Sequence, residues 1–387
     1  MRILMIAACP LPWSRGTPIR IHRMAEALVA RGHDVHVVTY PLGDETRSVS
    51  YKIHRVGRRS IRVDPRPGPS LMKLIYLDPL VCLRIRRMLG SGEFDLIHAH
   101  HYEGLLASLL ARRSSHKIPI VYDAHTLLES ELPFYTRWIP RAVLSRFGRM
   151  LDLRVPRHAD HIIGVTDSMQ HWFVTMAGIT PDCISVIPNG VEYEHFDSEN
   201  SDVVRTTRAP RIVFAGNLAA YQGVHLLLAA FAHVRAELPD AELFLMGGTA
   251  TASLLAQLDE LGITSSVHFE DPDYTSLPAR LATADVLVNP RIVCHGIPQK
   301  LLNYMATGRP IVSFASSAAV LEHERDGLIV ADGDIRGFAD AILRLICDPA
   351  LAHSLGLAAT VKVIADHSWS AVADQVAAVY TRVIESN

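Results

Sequence analysis

Three basic side chains are gathered around a loop that leads into a short predicted helix. Arg291 and His295 follow a predicted strand that ends at Asn289, and Lys300 lies in the first turn of the helix. The first turn of a helix presents unpaired backbone N–H groups and the positive end of the helix dipole, which together favour bound phosphate. Residues 289–312 therefore predict a site for a phosphorylated ligand.

Polar side chains also stand at predicted strand ends in the first half of the chain. His100 and His101 follow one strand, and His125 and Glu129 follow the next. A histidine in such a place can hydrogen-bond a sugar hydroxyl or a phosphate oxygen, and the alternative is a histidine packed inside its own loop. His98 and His100 share one face of a strand, but no further ligand has the spacing of a zinc site, so we expect no metal.

Two glycine-containing loops follow predicted strands in the second half of the chain. Gly216–Gly223 lies between a strand and a helix, and Gly247 and Gly248 end the next strand. Glycine allows a ligand to approach the backbone closely. Neither loop has the spacing of a dinucleotide-binding motif or a P-loop, and no serine elbow or paired-carboxylate motif indicates a hydrolase.

Two successive runs of alternating strands and helices would position these side chains. The first begins with strand Ile3–Ala8 and helix Ile19–Arg31, and the second with strand Arg211–Gly216 and helix Val224–Glu237. This alternation predicts α/β layers around parallel sheets, with ligands at the carboxyl ends of the strands. The expected organisation is a doubly wound domain over 1–195, a polar linker over 196–209, a second doubly wound domain over 206–369, and a last helix over 370–387.

Length and composition are those of a two-domain globular protein. The 387 residues exceed one typical core, and 49% of them are apolar and 20% charged. No apolar run approaches the roughly 18–20 residues that span a bilayer. The five Cys show no metal-binding or redox spacing, which fits a reducing environment and predicts a cytoplasmic protein.

The first half of the chain is basic, although the net charge of the whole is -2. Residues 1–195 hold 25 Lys and Arg against 18 Asp and Glu. Between Arg137 and Arg157, arginines accompany apolar residues at roughly helical spacing, namely Trp138, Ile139, Val143, Phe147 and Leu151. The excess of arginines indicates either an ordinary solvated surface or a face for anionic lipid head groups or an anionic acceptor. The apolar residues at helical spacing indicate either a peripheral membrane contact or a helix that packs on the core. Nucleic acid is not expected, because no nucleic-acid-binding motif accompanies the arginines.

Short motifs follow one another along nearly the whole chain: Gly16-Thr17, Arg31–Val35, Phe94–His100, Ile187–Val191, Gly216–Gly223 with Leu226–Phe231, and Lys300–Val312. In this order and spacing they resemble the family 4 glycosyltransferases. The family has the GT-B fold, in which two Rossmann-like domains face a central cleft, and its enzymes retain the configuration of the transferred sugar. In that fold the final helix crosses back to the first domain.

The resemblance implies an acceptor-binding first domain and a second domain that binds a nucleoside-diphosphate sugar. Gly16 and Thr17 would approach the donor phosphate, and His125 would contact the transferred sugar. Together with the basic residues of the loop and helix at 289–312, this makes the expected catalytic set His125, His295, Arg291 and Lys300. Further donor-binding residues would be Gly216, Asn217, Gln222, Gly223, Gly248, Gly296, Ile297, Pro298, Leu301 and Asn303. The acceptor-binding set would be Arg15, Arg20, His100, His101 and Glu129.

Four positions depart from the donor-binding pattern of that family. Asn217 and Gln222 stand where it has an Arg and a Lys that hold the diphosphate. His295 and Asn303 stand where it has two Glu, one near the sugar and one on the ribose hydroxyls. A buried diphosphate without countercharge is costly, so other residues must supply the positive charge.

We therefore expect Arg291 and Lys300 to stabilise the charge that develops on the departing phosphate, without a metal or a cofactor. The resemblance implies that the leaving phosphate itself takes the proton of the acceptor hydroxyl. The acceptor hydroxyl would belong to a glycan, a glycolipid or a natural product. The basic first half of the chain would suit an acceptor that is lipid-linked or anionic. Two alternatives stay open: an atypical sugar-phosphate donor, and a non-catalytic protein that binds sugars or nucleotides.

Overall fold

A computed structural model describes residues 1–12, 17–44, 48–57, 70, 72–112, 118–134, 139–196, 209–292, 294 and 297–386. The chain divides into two compact units. The first comprises Met1–Asn189 with Val372–Asn387, and the second comprises Gly190–Ala371. Each unit is built around its own parallel sheet with helices between successive strands, so the predicted α/β class is confirmed.

In the described part of the first unit, seven strands form one parallel sheet in the order β3-β2-β1-β4-β5-β6-β7. The strands are β1 Arg2–Ala7, β2 Asp34–Thr39, β3 Lys52–Arg55, β4 Leu96–His100, β5 Ile120–Ala124, β6 His161–Gly164 and β7 Ile184–Val186. Strands β4 and β5 are buried along their whole length, as expected for central strands covered on both faces. Their carboxyl ends consequently lie side by side in the middle of the sheet.

Helices connect these strands: α1 Thr17–Ala30, α2 Asp78–Leu89, α3 His101–Ala111, α4 Leu128–Glu131, α5 Arg141–Arg154 and α6 Asp167–Thr175. Helix α1 ends just before Gly32, whose φ of 81° suits a residue that follows a helix. The sequence predicted α1 to within two residues at each end. It did not predict β3, α2, α3 or α6, whose apolar periodicity is weaker or shorter.

In the second unit, the described residues form a six-stranded parallel sheet in the order β10-β9-β8-β11-β12-β13. The strands are β8 Arg211–Ala215, β9 Glu242–Met246, β10 Val267–Glu270, β11 Val286–Asn289, β12 Ile311–Phe314 and β13 Leu328–Val330. The helices are α7 Tyr193–Phe196, α8 Val224–Glu237, α9 Ala252–Leu261, α10 Leu277–Ala282, α11 Gln299–Ala306, α12 Ile335–Cys347 and α13 Pro349–His367. The last helix of the chain, α14 Trp369–Glu385, belongs to the first unit from Val372 onward.

The boundary between the units falls six residues before the predicted one, at Asn189 rather than at 195. Val191 bridges to Ser368, and Phe196 is 1% exposed within the second unit's core. Phe196 was predicted to begin the linker, and its burial corrects that assignment. The predicted linker ran from 196 to 209, and its residues 197–208 lie outside the described residues.

Helix α13 was not predicted, although the sequence contains its start signals. Asp348 accepts a hydrogen bond from the N–H of Leu351, and Pro349 occupies the first helical position. Among the described residues, no single helix is long and apolar enough to cross a bilayer; α12 and α13 reach that length only together, across a bend of 102°.

Candidate active site

A buried cluster surrounds Asp123 at the carboxyl ends of β4 and β5. The parallel register pairs His100 with Asp123. One carboxylate oxygen lies 3.6 Å from Nε2 of His98 and 3.4 Å from Nδ1 of His100. The other oxygen lies 3.8 Å from Nε2 of His125. One carboxylate therefore brings together the histidines that the sequence singled out on two strands.

Arg20 on α1 occupies the remaining side of this carboxylate. Its Nε and one terminal nitrogen donate to the two oxygens of Asp123 at 3.1 and 3.3 Å. The other N–H groups donate to the carbonyl oxygens of Ile187 and Pro188 and to the side-chain oxygen of Asn189. All five N–H groups are thus engaged, and 3% of the side chain is exposed. We assign Arg20 a bracing role within the unit instead of the predicted contact with an acceptor.

Burial and ion pairing decide the charges in this cluster. Burial alone would raise the pKa of Asp123, but Arg20, then His125, outweigh it and hold that pKa well below its usual range. Burial lowers the pKa of His125 well below its ordinary value, against the attraction of Asp123. Burial and the neighbouring His98 lower the pKa of His100 to about 3. At neutral pH the cluster holds an ionised carboxylate, a guanidinium, and neutral imidazoles at His100 and His125.

Three of these groups are close enough together to consider a metal ion. The ligand atoms of His98, His100 and Asp123 lie within 4.8 Å of one another. However, Arg20 bonds the same carboxylate at 3.1 Å and already supplies its countercharge. A divalent cation would face that guanidinium at short range in a buried site, which is electrostatically unfavourable. We therefore interpret the cluster as an ion-paired polar core, and the absence of a metal stays a prediction.

Other predicted residues of the first unit lie nearer the surface. Thr17 begins α1, and its hydroxyl lies 2.7 Å from Nε2 of His101. The rings of His101 and His125 stack with their centroids 4.6 Å apart, so His101 joins the residue expected at the donor phosphate to the one expected at the sugar. Glu129 lies on α4, with its carboxylate 3.9 Å from Arg149. Arg15 and Gly16 lie outside the described residues.

Tyr380 on α14 completes the cluster and was not predicted. Its hydroxyl lies 2.6 Å from Nδ1 of His98. Both side chains are buried, and the contact joins positions 282 residues apart in sequence. The only available signal was the expectation that the last helix returns to the first domain.

In the second unit, three loops at the carboxyl end of the sheet meet backbone to backbone. Gly223 has a φ of 73°, and a Cβ there would lie 2.0 Å from the carbonyl oxygen of Pro290. A Cβ on Gly247 would lie 1.9 Å from the carbonyl oxygen of Gly216. Glycine is therefore required at both positions. By contrast, Gly248 has a φ of 98° and faces open space.

Lys300 reaches from the first turn of α11 into this set of loops. Its Nζ donates to the side-chain oxygen of Gln222 at 2.8 Å and lies 4.3 Å from the ring centroid of Phe214. A Cβ on Gly216 would meet the end of the Lys300 side chain at 3.6–3.8 Å. Burial, and then the charge of Arg291, lower the pKa of Lys300 to about 7. The predicted lysine therefore lies against the loop that was predicted to bind phosphate.

Arg291 lies beside the same loop. Its guanidinium carbon is 5.0 Å from the ring centroid of Tyr221, and Asn217 donates to the hydroxyl of Tyr221 at 2.8 Å. The described site thus gathers two cationic side chains and two amides, with an aromatic ring between Arg291 and Asn217. Such a set can hold an anionic ligand by charge and by hydrogen bonds.

Two further residues fix this loop and helix: Tyr304, to which no role was assigned from the sequence, and Asn289, which was placed at a strand end. The hydroxyl of Tyr304 on α11 accepts the N–H of Ala215 at 2.6 Å and lies 3.2 Å from its carbonyl oxygen. Asn289 donates to the hydroxyl of Ser317, which in turn donates to the carbonyl oxygen of Arg291. Both braces are buried, and neither pairing has a signal in the sequence.

The remaining predicted donor residues differ in what they can contact. Leu301 is fully buried, Pro298 is buried, and Ile297 packs against the hydrophobic core of the second unit. These side chains therefore hold the start of α11 against that core. Asn303 is half-buried on the same helix. His295 and Gly296 lie outside the described residues.

Comparison with known proteins gives two family models that match successive parts of the chain. The model described as Glycosyltransferase Family 4 matches residues 14–195, and the model described as Glycosyl transferases group 1 matches residues 209–348. A similar relative is the phosphatidyl-myo-inositol mannosyltransferase of Mycobacterium leprae (strain TN), 27% identical over 392 residues. That match covers 100% of this chain and 98% of the relative.

Solved structures share the fold. The sucrose-phosphate synthase from Thermosynechococcus elongatus superposes with a TM-score of 0.76 and 20% identity, covering 100% of both chains. The Anabaena protein HepE, solved in complex with UDP, has a TM-score of 0.71 and 18% identity, covering 99% of this chain and 100% of that one. At these identities the likeness shows the two-domain architecture alone.

Proposed function

The chain belongs to the family 4 glycosyltransferases and has the GT-B fold, and from that premise we propose that it is a retaining enzyme with a nucleoside-diphosphate sugar donor. The acceptor would be a hydroxyl group in the synthesis of a glycolipid or another glycan. The name of the mycobacterial relative, a mannosyltransferase acting on phosphatidyl-myo-inositol, supports a glycolipid acceptor.

The observation that carries the proposal is the position of Lys300 and Arg291 around the loop after β8. Lys300 reaches Gln222 at 2.8 Å, and Arg291 lies beside Tyr221 in the same loop. These two cations can neutralise a diphosphate where Asn217 and Gln222 bring no charge of their own. The backbone N–H groups at the start of α11 add the positive end of a helix dipole.

The family resemblance implies the course of the reaction, and the two cations would serve one step of it. The bond between the anomeric carbon and the phosphate oxygen breaks, and a bond to the acceptor oxygen forms on the same face of the sugar. The acceptor proton passes to the departing phosphate, so atoms and charges balance without a protein base. Negative charge grows on that phosphate in the transition state, where Lys300 and Arg291 stabilise it. His125, neutral and nearly buried, orients a sugar hydroxyl.

A thermal-shift panel tests the donor class. A ligand of the native state raises the unfolding midpoint, so one nucleoside diphosphate should stabilise the protein more than its monophosphate. Incubation with the matching nucleotide sugar and an acceptor should then release that diphosphate, and NMR of the product should show the donor's anomeric configuration. An inverted product would contradict the retaining mechanism.

A second candidate is a donor of unusual chemistry, or a binding protein without turnover. The observation that favours it is the pair of neutral side chains, Asn217 and Gln222, in the loop that holds the diphosphate in the family pattern. This candidate would be supported if a sugar phosphate raised the unfolding midpoint and no nucleoside diphosphate did so. For the first candidate, the retaining enzyme with a nucleotide-sugar donor, we also propose a cytoplasmic location, where such donors are available.

A further inference from the structure

Helix α5 has one face fixed against the first unit. A Cβ on Gly148 would lie 2.6 Å from the backbone of Leu128, so the helix approaches the start of α4 closely. The buried carboxylate of Asp152 accepts the N–H groups of Leu128 and Glu129 at 3.2 and 2.9 Å. Leu144, Gly148 and Asp152 recur at every fourth position and are buried. These contacts set the rotation of α5 about its axis.

The opposite face of α5 is apolar and exposed. Val143, Phe147 and Met150 are 54%, 51% and 38% exposed, and their spacing of four and three residues puts them on one stripe. Ile139, just before the helix, is 44% exposed. The alternative drawn from the sequence, that this apolar stripe packs on the core, is therefore wrong for Val143 and Phe147. Trp138 lies outside the described residues.

Helix α5 carries four exposed arginines, Arg141, Arg146, Arg149 and Arg154. By helical spacing Arg146 and Arg154 flank the apolar stripe, whereas Arg149 lies 3.9 Å from Glu129. The helix's one acidic residue, Asp152, is turned inward. Long arginine side chains can lie along an apolar surface while their charged ends reach an anionic phosphate. A face that combines exposed aliphatic and aromatic groups with several positive charges matches the boundary between lipid headgroups and acyl chains.

We propose that the exposed face of α5, defined by Val143, Phe147 and Met150 with the flanking Arg146 and Arg154, docks on an anionic phospholipid surface. A second copy of the chain fits this face poorly, because two such faces would bring arginines against arginines. Docking would hold the enzyme at the bilayer surface, and it concerns a surface distinct from the donor loops of the second unit. It goes beyond the proposed transfer reaction, since it names a partner that the reaction alone does not require.

Helix α13 provides a matched control within the same chain. Leu357, Val361 and Ile364 repeat the same spacing and are 55%, 62% and 37% exposed. That helix contains no arginine. If exposed apolar side chains alone drove lipid binding, both stripes would contribute equally.

Sedimentation of the full chain with vesicles tests the proposal. Vesicles of phosphatidylcholine mixed with phosphatidylglycerol should bind the protein, and vesicles of phosphatidylcholine alone should bind it much more weakly. Added salt should release it, because the charge term is screened. Val143→Ser, Phe147→Ser and Met150→Ser combined should lower the partition coefficient about a hundredfold. The same change at Leu357, Val361 and Ile364 should leave it unaltered.

A charge variant keeps the test decisive if the serine variant fails to fold. Arg146→Gln with Arg154→Gln should weaken binding to the mixed vesicles about twenty-five-fold, at about fivefold per arginine, with an unchanged unfolding midpoint. The proposal is overturned if the native chain does not sediment with anionic vesicles, or if the α13 control loses binding equally. It is also overturned if light scattering shows a dimer that the α5 variants convert to a monomer. Nucleotide stabilisation should be the same in every variant, which separates this test from that of the donor site.

Discussion

The ammonium group of Lys300 donates a 2.8 Å hydrogen bond to the side-chain oxygen of Gln222. Gln222 stands where the family pattern has a lysine of its own. The positive charge therefore reaches the loop from α11 instead of from the loop itself. This hydrogen bond places the ammonium group of Lys300 next to Gly216, and the neutral amide of Gln222 orients that ammonium group.

Removing the two cations should abolish most of the turnover. Lys300→Ala or Arg291→Ala should each lower kcat by roughly 10²-fold, the range seen when one donor to a developing anion is lost. Steady-state kinetics with the donor found in the thermal-shift panel would measure this. Arg280→Ala, which removes a surface arginine of the same unit, should leave kcat unchanged. Full activity in the double variant would contradict the account of phosphate stabilisation.

Binding of a nucleoside diphosphate should take up a proton above neutral pH. In the free protein, burial and Arg291 lower the pKa of Lys300 to about 7, so at pH 8 this side chain is mostly neutral. A bound diphosphate favours the charged form and raises the pKa, so affinity should fall by up to about tenfold per pH unit above 7. Calorimetry at pH 8 in two buffers of different ionisation enthalpy would count the proton. Lys300→Arg, which stays charged, should show no such uptake.

Breaking the buried ion pair of Arg20 should destabilise the first unit. Arg20→Ala leaves Asp123 ionised and buried without its guanidinium, at a cost of about 3–5 kcal/mol. Urea unfolding would measure this loss. Arg31→Ala serves as the control, because its ion pair with Asp374 is exposed at the acid and should be worth at most about 1 kcal/mol. If the two variants lost the same free energy of unfolding, Arg20 would not act as a buried brace.

The contribution of Asp123 to stability should persist across the neutral range. Its folded pKa is depressed, so the stabilisation is present above the unfolded pKa and is lost as pH falls through the folded value, well below the usual range. In Arg20→Ala the pKa of Asp123 should rise, because burial alone raises it. Acid unfolding of this variant, followed by circular dichroism, should therefore begin at a higher pH than in the native chain.

Alanine at Gly223 should be far more damaging than alanine at Gly262. Both glycines have positive φ angles, of 73° and 66°, so each substitution carries a strain of about 1–2 kcal/mol. Only at Gly223 would the new Cβ also meet a backbone carbonyl, that of Pro290. Gly223→Ala should therefore lose nucleotide-dependent stabilisation as well, whereas Gly262→Ala should keep it. Thermal unfolding with and without nucleotide measures both effects.

Changing His125 should separate sugar orientation from nucleotide binding. His125→Asn keeps a side chain that can hydrogen-bond but shortens its reach, so kcat should fall by about 10²-fold through misplacement of the sugar. The Kd of the nucleoside diphosphate should change little, because the two cations proposed to hold it, Lys300 and Arg291, lie in the second unit. His158→Asn, at an exposed position, is the control. A change in Kd with an unaltered kcat would contradict the assigned role.

The central strands could be predicted from the sequence because they are buried on both faces and their residues are therefore mainly apolar. Strands β4, β5 and β11 are short, mainly apolar segments that carry polar residues at or near their carboxyl ends, and those polar residues mark the site. Local patterns could not predict which distant groups meet. The pairs Arg20 with Asp123 and His98 with Tyr380 join positions 103 and 282 residues apart. Arg20 in particular has the type of an acceptor-binding residue, and only its burial and saturated guanidinium indicate otherwise.

The close approach of the loops at Gly216, Gly223 and Gly247 restricts how this enzyme could be engineered toward a new donor. Since backbone lies directly on backbone, no substitution at Gly223 or Gly247 can reshape the pocket without displacing a loop. A directed-evolution library would gain most from varying Asn217 and Tyr221, whose side chains hydrogen-bond each other in this loop, while Arg291 and Lys300 are kept. In the proposed reaction these backbone contacts would fix where the phosphate binds, whereas the side chains around it could be varied.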